Sequence, residues 1–302
     1  MNWVSSSNRM ISITCWRKLI SCLRTSKATP VAKMKPENFT YISKLAKDES
    51  GLVLTEKKIY LLDSRLMPIA RKMEIETLDE LIERIRVRPE PPLVKEVVEA
   101  LTTNETLFFR DNGPFDRLKE NVLPDIMAAR GAQKSFRIWS AAASSGQEPY
   151  SLAIILNEMA AKMHGWNFEI VGTDLSTEIL AKAEAGQYSQ FEIQRGMPVQ
   201  LLVKYFKQEG ASWVINDDLR AKVKFMPANL LEDQRGLGQF DIVFCRNVLI
   251  YFDPETKGKV LVMIADMMPD DGRLFLGAAE TVLGLTEKFK AIPDVRGVYQ
   301  KT

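Results

Sequence analysis

Metal-binding and thiol residues are scarce in this chain. Its 302 residues include one histidine, His164, and three cysteines, Cys15, Cys22 and Cys245. The cysteines form neither a C-x-x-C pair nor a disulfide framework, which favours a reducing compartment such as the cytoplasm. A single histidine excludes a multi-histidine metal site and gives little support to a Ser-His triad. We therefore expect no metal centre.

Long apolar runs are also missing. No stretch approaches the ~18 uncharged apolar residues that a membrane-spanning helix needs, so we expect no membrane insertion.

The net charge is +2, and of 41 Lys and Arg residues seven lie in residues 1–36, which contain no acid. This leaves 34 basic and 39 acidic residues in residues 37–302. The net negative charge of residues 37–302 argues against nucleic-acid binding.

The basic segment, residues 1–33, is rich in Ser, Lys and Arg. Its composition resembles that of a transit peptide. There are two simpler alternatives. The segment is a flexible tail, or it follows from an upstream start codon and the working start is Met34. We favour these two and predict a disordered tail.

Residues 34–100 are predicted to form a helical N-terminal domain. Apolar residues repeat at helical spacing from Phe39 to Ala46 and from Ile59 to Met73, and Thr77 begins a third helix. Three basic residues follow the edge of the second helix at intervals of seven: Lys58, Arg65 and Lys72. A solvated helix face explains such a stripe, and docking of a partner is the alternative.

From residue 136 onwards, strands alternate with helices, which predicts a parallel α/β sheet with right-handed crossovers. The predicted strands are Phe136–Ser140, Phe168–Thr173, Val223–Met226, Phe240–Cys245, Arg273–Gly277 and, as a last edge strand, Val298–Gln300. Residues 186–222 interrupt this rhythm with a predicted helix, Val199–Lys207, and a short strand, Trp213–Ile215. We interpret 186–222 as a subdomain inserted in a domain spanning 136–302, and 101–135 as a linker.

Polar residues follow the strand that begins at Phe240. Arg246, Asn247 and Tyr251 come just past its end, where open α/β sheets bind ligands. The alternative is a helix start with an Arg-Asn cap. The segment TTNETLFFRDNGPF, residues 102–115, likewise surrounds aromatic residues with polar ones. It is predicted to be the wall of a site, with a capped helix start as the alternative.

Asp174 ends the second predicted strand of this region. A carboxylate at this position can accept hydrogen bonds from ribose hydroxyls. The loop after the first strand, residues 141–146, is small throughout but lacks both G-x-G-x-x-G and any basic residue. A pyrophosphate would meet only backbone there, so S-adenosylmethionine, which is cationic and free of phosphate, suits the loop better than NAD. Glu148 is placed to meet one of its positive groups.

The motifs TNETLFFRD, WSAAASSGQEPYSLA, TDLS, NLLE and FDIVFCRNVLIYFD occur in this order and together resemble the chemotaxis receptor glutamate methyltransferase (CheR) family. The resemblance covers roughly Pro36 to Thr302. It implies an α/β fold: a Rossmann-like S-adenosylmethionine-dependent methyltransferase domain, a helical N-terminal domain and a small inserted β-subdomain.

The resemblance also implies site residues. Those that wall or bind the cofactor would be Asn104, Thr106, Arg110, Glu148, Asp174, Asn229, Leu230, Arg246 and Asn247. Asp174 would hold the ribose, Asn229 and Leu230 the adenine end, and Asn247 the methionine moiety. Arg110 and Tyr251 would lie near the methyl group and the incoming substrate.

The implied activity is methylation of glutamate side chains on chemotaxis receptors by a cytoplasmic monomer. The partners would be the receptors' cytoplasmic helices, docked against Lys58, Arg65 and Lys72. Two alternatives stay open, a methyltransferase for another carboxylate substrate and a non-catalytic S-adenosylmethionine-binding signalling module. An NAD oxidoreductase comes a distant third, because the first loop lacks its glycines.

The sequence departs from the family pattern in three places. Gln147-Glu148 stands where the family often has two acids, so Glu148 alone must serve. Gly277-Ala278-Ala279-Glu280 replaces a Gly-His-Ser-Glu stretch, which puts a polar role there in doubt. The loop Gln208–Ser212 is short compared with members that grip a peptide tethered at the receptor's end, so we expect action that does not depend on a tether.

Overall fold

The structure, a computed structural model, describes residues 34–302, and the predictions for residues 1–33 lie outside that range. Within it, no helix is both long and apolar enough to cross a membrane. The described part of the chain begins with four helices: α1 (Pro36–Ser50), α2 (Ile59–Lys72), α3 (Leu78–Val87) and α4 (Pro91–Leu101). A 3₁₀ turn, Glu56–Lys58, precedes α2.

Each of these helices turns an apolar stripe inward. One hydrophobic cluster contains fully buried residues from all four: Ile42, Leu66, Ile82 and Val97. Local signals set the helix ends, since the Thr77 hydroxyl accepts a hydrogen bond from the Glu80 N–H at 3.2 Å and Gly51 ends α1 with a φ of +76°. The helices predicted from apolar spacing are confirmed.

The later α-helices of the described residues are α5 (Gly113–Arg117), α6 (Leu123–Ala129), α7 (Gln147–Glu158), α8 (Thr177–Ala185), α9 (Gln190–Gln194), α10 (Val199–Tyr205), α11 (Asp217–Arg220) and α12 (Pro254–Asp266). The strands are β1 (Ser135–Ala141), β2 (Asn167–Asp174), β3 (Gln187–Ser189), β4 (Phe206–Glu209), β5 (Ser212–Ile215), β6 (Val223–Pro227), β7 (Ile242–Cys245), β8 (Arg273–Leu276), β9 (Phe289–Ala291) and β10 (Val298–Lys301).

A seven-stranded sheet in the order β6-β2-β1-β7-β8-β10-β9 forms the centre of the second part. Strands β6, β2, β1, β7 and β8 run parallel to one another. The chain moves outward from β1 through β2 to β6 and then returns to β7 on the other side of β1. The order therefore reverses between β1 and β7, which is where doubly wound sheets form a ligand crevice. The predicted α/β fold class is confirmed.

The position predicted for the last strand within the sheet is wrong. Val298–Gln300 was predicted at the sheet edge, but β10 lies between β8 and β9 and is antiparallel to both. The edge strand is β9, in which only Phe289 is buried. Three residues with one buried position give no alternating pattern to detect. The sheet is consequently mixed and not purely parallel.

A second, smaller sheet has the order β3-β5-β4 and is antiparallel. The predicted helix Val199–Lys207 is wrong at its end, because α10 stops at Tyr205 and Phe206 begins β4 by pairing with Ile215. Burial explains the change, since the Phe206 ring packs edge-on against Phe108 at 5.6 Å. Gly210 and Ala211 alone join β4 to β5, and tether-independent action stays a prediction.

Candidate functional site

A cavity lies at the carboxyl ends of the parallel strands, facing the helical part of the chain. All ten residues predicted for the site line it: Asn104, Thr106, Arg110, Glu148, Asp174, Asn229, Leu230, Arg246, Asn247 and Tyr251. Ser50 and Leu52, at the end of α1, line it as well. The helical part thus supplies one wall, and the sheet supplies the floor.

Left-handed backbone is concentrated around this cavity. Of nine non-glycine residues with positive φ in the described part of the chain, six lie in the loops that surround it: Phe109, Asp111, Asn112, Ala142, Ser144 and Asn247. Such conformations cost on the order of 1–3 kcal/mol each and persist only where surrounding contacts enforce them. The loops are therefore held in defined shapes, as a binding site requires.

Asp174 is the last residue of β2 and is only 8% exposed. Its Oδ2 accepts a hydrogen bond from the Ser144 N–H at 2.8 Å, and its Oδ1 accepts one from the Ser176 N–H at 3.0 Å. Burial raises the pKa of the Asp174 carboxyl above its ordinary value, while these N–H groups act in the opposite direction. The contacts fix the carboxylate and leave lone pairs on both oxygens for hydroxyl donors.

Arg246 is the most buried charge at the site, with a side chain only 1% exposed. Its guanidinium donates to Glu148 Oε2 at 2.8 Å, to Asp111 Oδ2 at 2.7 Å and to the Arg110 carbonyl at 3.0 Å. A buried cation needs such pairing, because removing one partner of a buried pair typically costs about 3–5 kcal/mol. Arg246 thus joins the loop after β7 to α7 and to the segment that carries Arg110.

Both oxygens of the Glu148 carboxylate, predicted to meet a positive group of the cofactor, have partners within the protein. Its Oε1 accepts a hydrogen bond from the Ser140 hydroxyl at 2.8 Å, and its Oε2 is taken by Arg246. The sequence could not show this pairing because Arg246 lies far along the chain. Glu148 lines the cavity, but its first function is to neutralise the buried arginine.

Arg110 stands on an irregular segment between α4 and α5. No helix starts at Thr103 or Asn104, so the alternative of a capped helix there is wrong. The Phe109 N–H donates to the Ser151 hydroxyl of α7 at 2.9 Å, which anchors the segment. The Arg110 side chain is half-buried, and one of its terminal nitrogens donates to the Glu105 carbonyl at 3.0 Å. Its other N–H groups can meet an anion in the cavity.

The loop after β7 carries Asn247 and Tyr251. Asn247 adopts a φ of +60°, and a 3₁₀ turn, Leu249–Tyr251, follows it. The Glu280 carboxylate accepts backbone hydrogen bonds from this loop. The doubt about a polar role for residues 277–280 was therefore mistaken, since Glu280 provides one without the His and Ser of the family pattern.

Asn229, predicted with Leu230 to hold the adenine end of the cofactor, is bonded to the last turn of α1. The Asn229 amide donates to the Glu49 carbonyl at 2.8 Å, and its oxygen accepts from the Leu231 N–H at 3.1 Å. Both polar groups of Asn229 are thereby engaged within the protein. Leu230, 9% exposed, supplies apolar surface to the cavity.

The predicted basic stripe is not a uniform surface. Arg65 is turned inward, where it donates to the carbonyl groups of Leu101 and Thr102 and to the Thr103 hydroxyl. Lys72 stays 72% exposed and pairs with Glu96 at 3.0 Å. The Lys58 side chain lies outside what the structure describes. Arg65 is therefore a structural residue that supports the segment leading into the cavity.

Comparison with known proteins gives matches over both the helical part and the α/β part of the chain. Residues 37–102 match the family described as "CheR methyltransferase, all-alpha domain", and residues 104–298 match "CheR methyltransferase, SAM binding domain". "Chemotaxis protein methyltransferase Cher2" of Pseudomonas putida is 40% identical over 252 residues, which are 82% of this chain and 91% of that protein. "Chemotaxis protein methyltransferase 1" of Pseudomonas aeruginosa is 42% identical, with the same two shares. A "Chemotaxis protein methyltransferase" of Vibrio anguillarum is 38% identical over 88% of this chain and 96% of its own length.

Proposed function

This chain belongs to the CheR methyltransferase family, and from that premise we propose that it methylates glutamate side chains of chemotaxis receptors. It would act in the cytoplasm as a protein-glutamate O-methyltransferase, with S-adenosylmethionine as the methyl donor and a methyl ester as the product. The observation that carries the proposal is that one cavity brings two sets of groups together. Asp174 and the small first loop line it, and so do Arg110 and Tyr251.

The residues of the cavity fit S-adenosylmethionine. Among the described residues that line it there is no lysine, and the charge of Arg246 is matched by Glu148 and Asp111. Such a lining suits a ligand without phosphate groups. Asp174 would hold the ribose hydroxyls, and Leu230 would pack against the adenine. When bound, this cofactor supplies an electrophilic methyl group on a positively charged sulfur.

The acceptor chemistry requires little from the protein beyond positioning. A glutamate side chain has a pKa near ~4.3, so at neutral pH it is already an ionised nucleophile. No general base is needed, which agrees with the scarcity of histidine. The enzyme must desolvate this carboxylate and aim it, and positioning of this kind is worth roughly 7–11 kcal/mol in favourable cases.

Arg110 is the residue best suited to that positioning. It can bind one oxygen of the substrate carboxylate while the other oxygen attacks the methyl group. The carboxylate loses its negative charge as the methyl group is transferred, so Arg110 must act by aiming the attacking oxygen, and tight binding of the ionised ground state would lower kcat. Tyr251, at the same cavity, would orient the reactants through its hydroxyl.

Two other functions make different experimental predictions. A methyltransferase for another carboxylate would use the same cavity but would leave receptors unlabelled. A non-catalytic signalling module would bind S-adenosylmethionine and transfer no methyl group. The presence of both Arg110 and Tyr251 at the cavity favours catalysis over the second alternative.

The test is methylation of receptor-containing membranes with cofactor labelled in its methyl group. We expect label in the receptor band and release of volatile labelled methanol on mild alkaline treatment, because base hydrolyses a methyl ester. A base-stable label would exclude an ester. Label in small molecules alone would favour the first alternative, and cofactor binding without any transfer would favour the second.

Of the basic stripe, we retain Lys72 as a docking residue for an acidic side chain of the receptor helices. Its groove also contains three glutamates, so Lys72 supplies the positive charge there, and Thr102 and Asn104 line both the groove and the main cavity. A helix bound in this groove would therefore lie beside the site. Lys72→Glu should raise the KM for receptor roughly threefold, since rim charges mainly affect encounter with a charged partner. The Kd for cofactor should not change.

Lys259→Glu is the matched control, because Lys259 is also an exposed lysine that pairs with a glutamate, Glu255, on the remote helix α12. The measurement is receptor methylation at low and high salt. Equal KM values for Lys72→Glu, Lys259→Glu and the unaltered protein would exclude this surface.

A further inference from the structure

Glu280 uses one carboxylate to hold backbone from two separate segments. Its Oε2 accepts from the Gly277 N–H at 2.7 Å and from the Asn247 N–H at 2.8 Å. Its Oε1 accepts from the Ile250 N–H at 3.2 Å. Hydrogen bonds to an ionised acceptor are roughly twice as strong as those between neutral groups. The carboxylate thus ties the end of β8 to the loop that follows β7.

The geometry of this junction depends on a close approach. A Cβ atom on Gly277 would lie 2.6 Å from Glu280 Oε2 and 2.9 Å from Asn247 Nδ2. No side chain fits there without displacing one of these groups. Asn247 lies beyond the end of β7 at Cys245, so its N–H needs an acceptor outside the β7 ladder. Glycine, asparagine and glutamate therefore make one fitted unit.

Glu280 is not among the residues that line the cavity, whereas Asn247 and Tyr251 both are. Two of the three N–H groups held by Glu280 belong to Asn247 and to Ile250, the residue directly before Tyr251. A shift of the loop at either bond would move the side chains that face cofactor and substrate. Displacements of about 1 Å in positioning groups can cost on the order of 100-fold in rate.

We propose that Glu280 is the positioning residue that sets the loop carrying Asn247 and Tyr251. It acts through backbone N–H groups and touches neither reactant. The inference rests on the proposed function in one respect, since Tyr251 is taken as a residue that faces the substrate. The position of the loop itself can be tested through cofactor affinity, whatever the methyl acceptor is.

The experiment compares Glu280→Gln with Glu287→Gln, an exposed glutamate further along the same connection. Glu280→Gln keeps the shape of the side chain and removes the charge that three N–H groups share. We expect kcat to fall at least about tenfold, from loss of charge-assisted bonds and of loop position. Glu287→Gln should match the unaltered protein. Unchanged kcat in Glu280→Gln would overturn the proposal.

A second variant covers the case in which Glu280→Gln does not fold. Glu280→Asp keeps the charge but shortens the side chain by one methylene, so the carboxylate cannot reach the N–H groups of Gly277, Asn247 and Ile250 together. It should lower kcat as Glu280→Gln does. Loss of activity that only follows the loss of folded protein, read from the Tm, would indicate a purely structural residue and contradict positioning.

A double-mutant cycle separates positioning from stability. If Glu280 acts through the loop of Tyr251, then Glu280→Gln should lower kcat less in a Tyr251→Phe background than alone. Fully multiplicative effects would overturn action through Tyr251. Binding of S-adenosylhomocysteine, measured by calorimetry, should weaken in Glu280→Gln because Asn247 moves. That arm needs no receptor, so a wrong substrate assignment and a wrong role for Glu280 give different results.

Discussion

Replacing Asp174 with alanine should remove measurable binding of S-adenosylmethionine while the protein stays folded. The carboxylate is fixed by two backbone N–H groups at the end of β2 and retains lone pairs for the ribose hydroxyls. Hydrogen bonds to charged groups contribute about 1.5–3 kcal/mol each. Losing two of them corresponds to roughly a 10²–10⁴-fold weaker Kd.

Calorimetric titration with S-adenosylhomocysteine measures this effect. Asp218→Ala is the control, because Asp218 is an exposed aspartate on α11, away from the residues that line the cavity. A thermal melt of Asp174→Ala checks that the chain folds. A Kd within threefold of the unaltered protein would exclude Asp174 as the ribose ligand.

The pH dependence of binding gives an independent check on Asp174. Burial raises the pKa of this carboxyl, and ribose hydroxyls donate to its ionised form. Affinity should therefore fall on acidification, beginning at a higher pH than for an exposed aspartate. Acidification has the opposite effect on folding stability, which it increases, because the folded protein holds this proton more tightly than the unfolded chain. The contribution of this carboxyl to stability decreases as pH rises from the unfolded pKa through the folded one.

Arg110→Ala should lower kcat by roughly 100-fold, because Arg110 aims the substrate carboxylate and a misplacement of about 1 Å in a reacting group costs on that order. Cofactor affinity should stay within a few-fold, because Arg110 contributes one wall and Asp174 carries the ribose contacts. The substitution removes one side-chain bond, to the Glu105 carbonyl, so the fold should persist. The backbone of the segment remains held by Arg246 and Ser151.

The measurement is single-turnover methylation with saturating cofactor, alongside calorimetric binding. Arg235→Ala is the control, since Arg235 is an exposed arginine paired only with Asp233 nearby in sequence. Tyr251→Phe should show a smaller loss in kcat. Near-normal methylation by Arg110→Ala would refute its catalytic role.

The sequence predicted which residues line the cavity better than it predicted the contacts among them. Polar residues placed just after strands identified Asp174, Arg246 and Asn247, because the carboxyl ends of parallel strands share one edge. The contacts of Glu148 and Arg65 were not predictable. Each bonds a group far along the chain, Arg246 and the Leu101 carbonyl respectively. Asp111 was not singled out, although it follows Arg110 directly.

By itself, the sequence determined the helical first part, the α/β sheet and the small first loop, which follow from apolar spacing and local composition. Its resemblance to the family implied most of the residues that line the cavity. Only the tertiary structure decided which charges are neutralised within the protein and which face the cavity. That choice depends on burial and on partners such as Arg246 with Asp111 and Glu148, or Glu280 with Asn247, which meet only when the sheet is assembled. Desolvation makes those pairings obligatory, and spacing along the chain does not encode them.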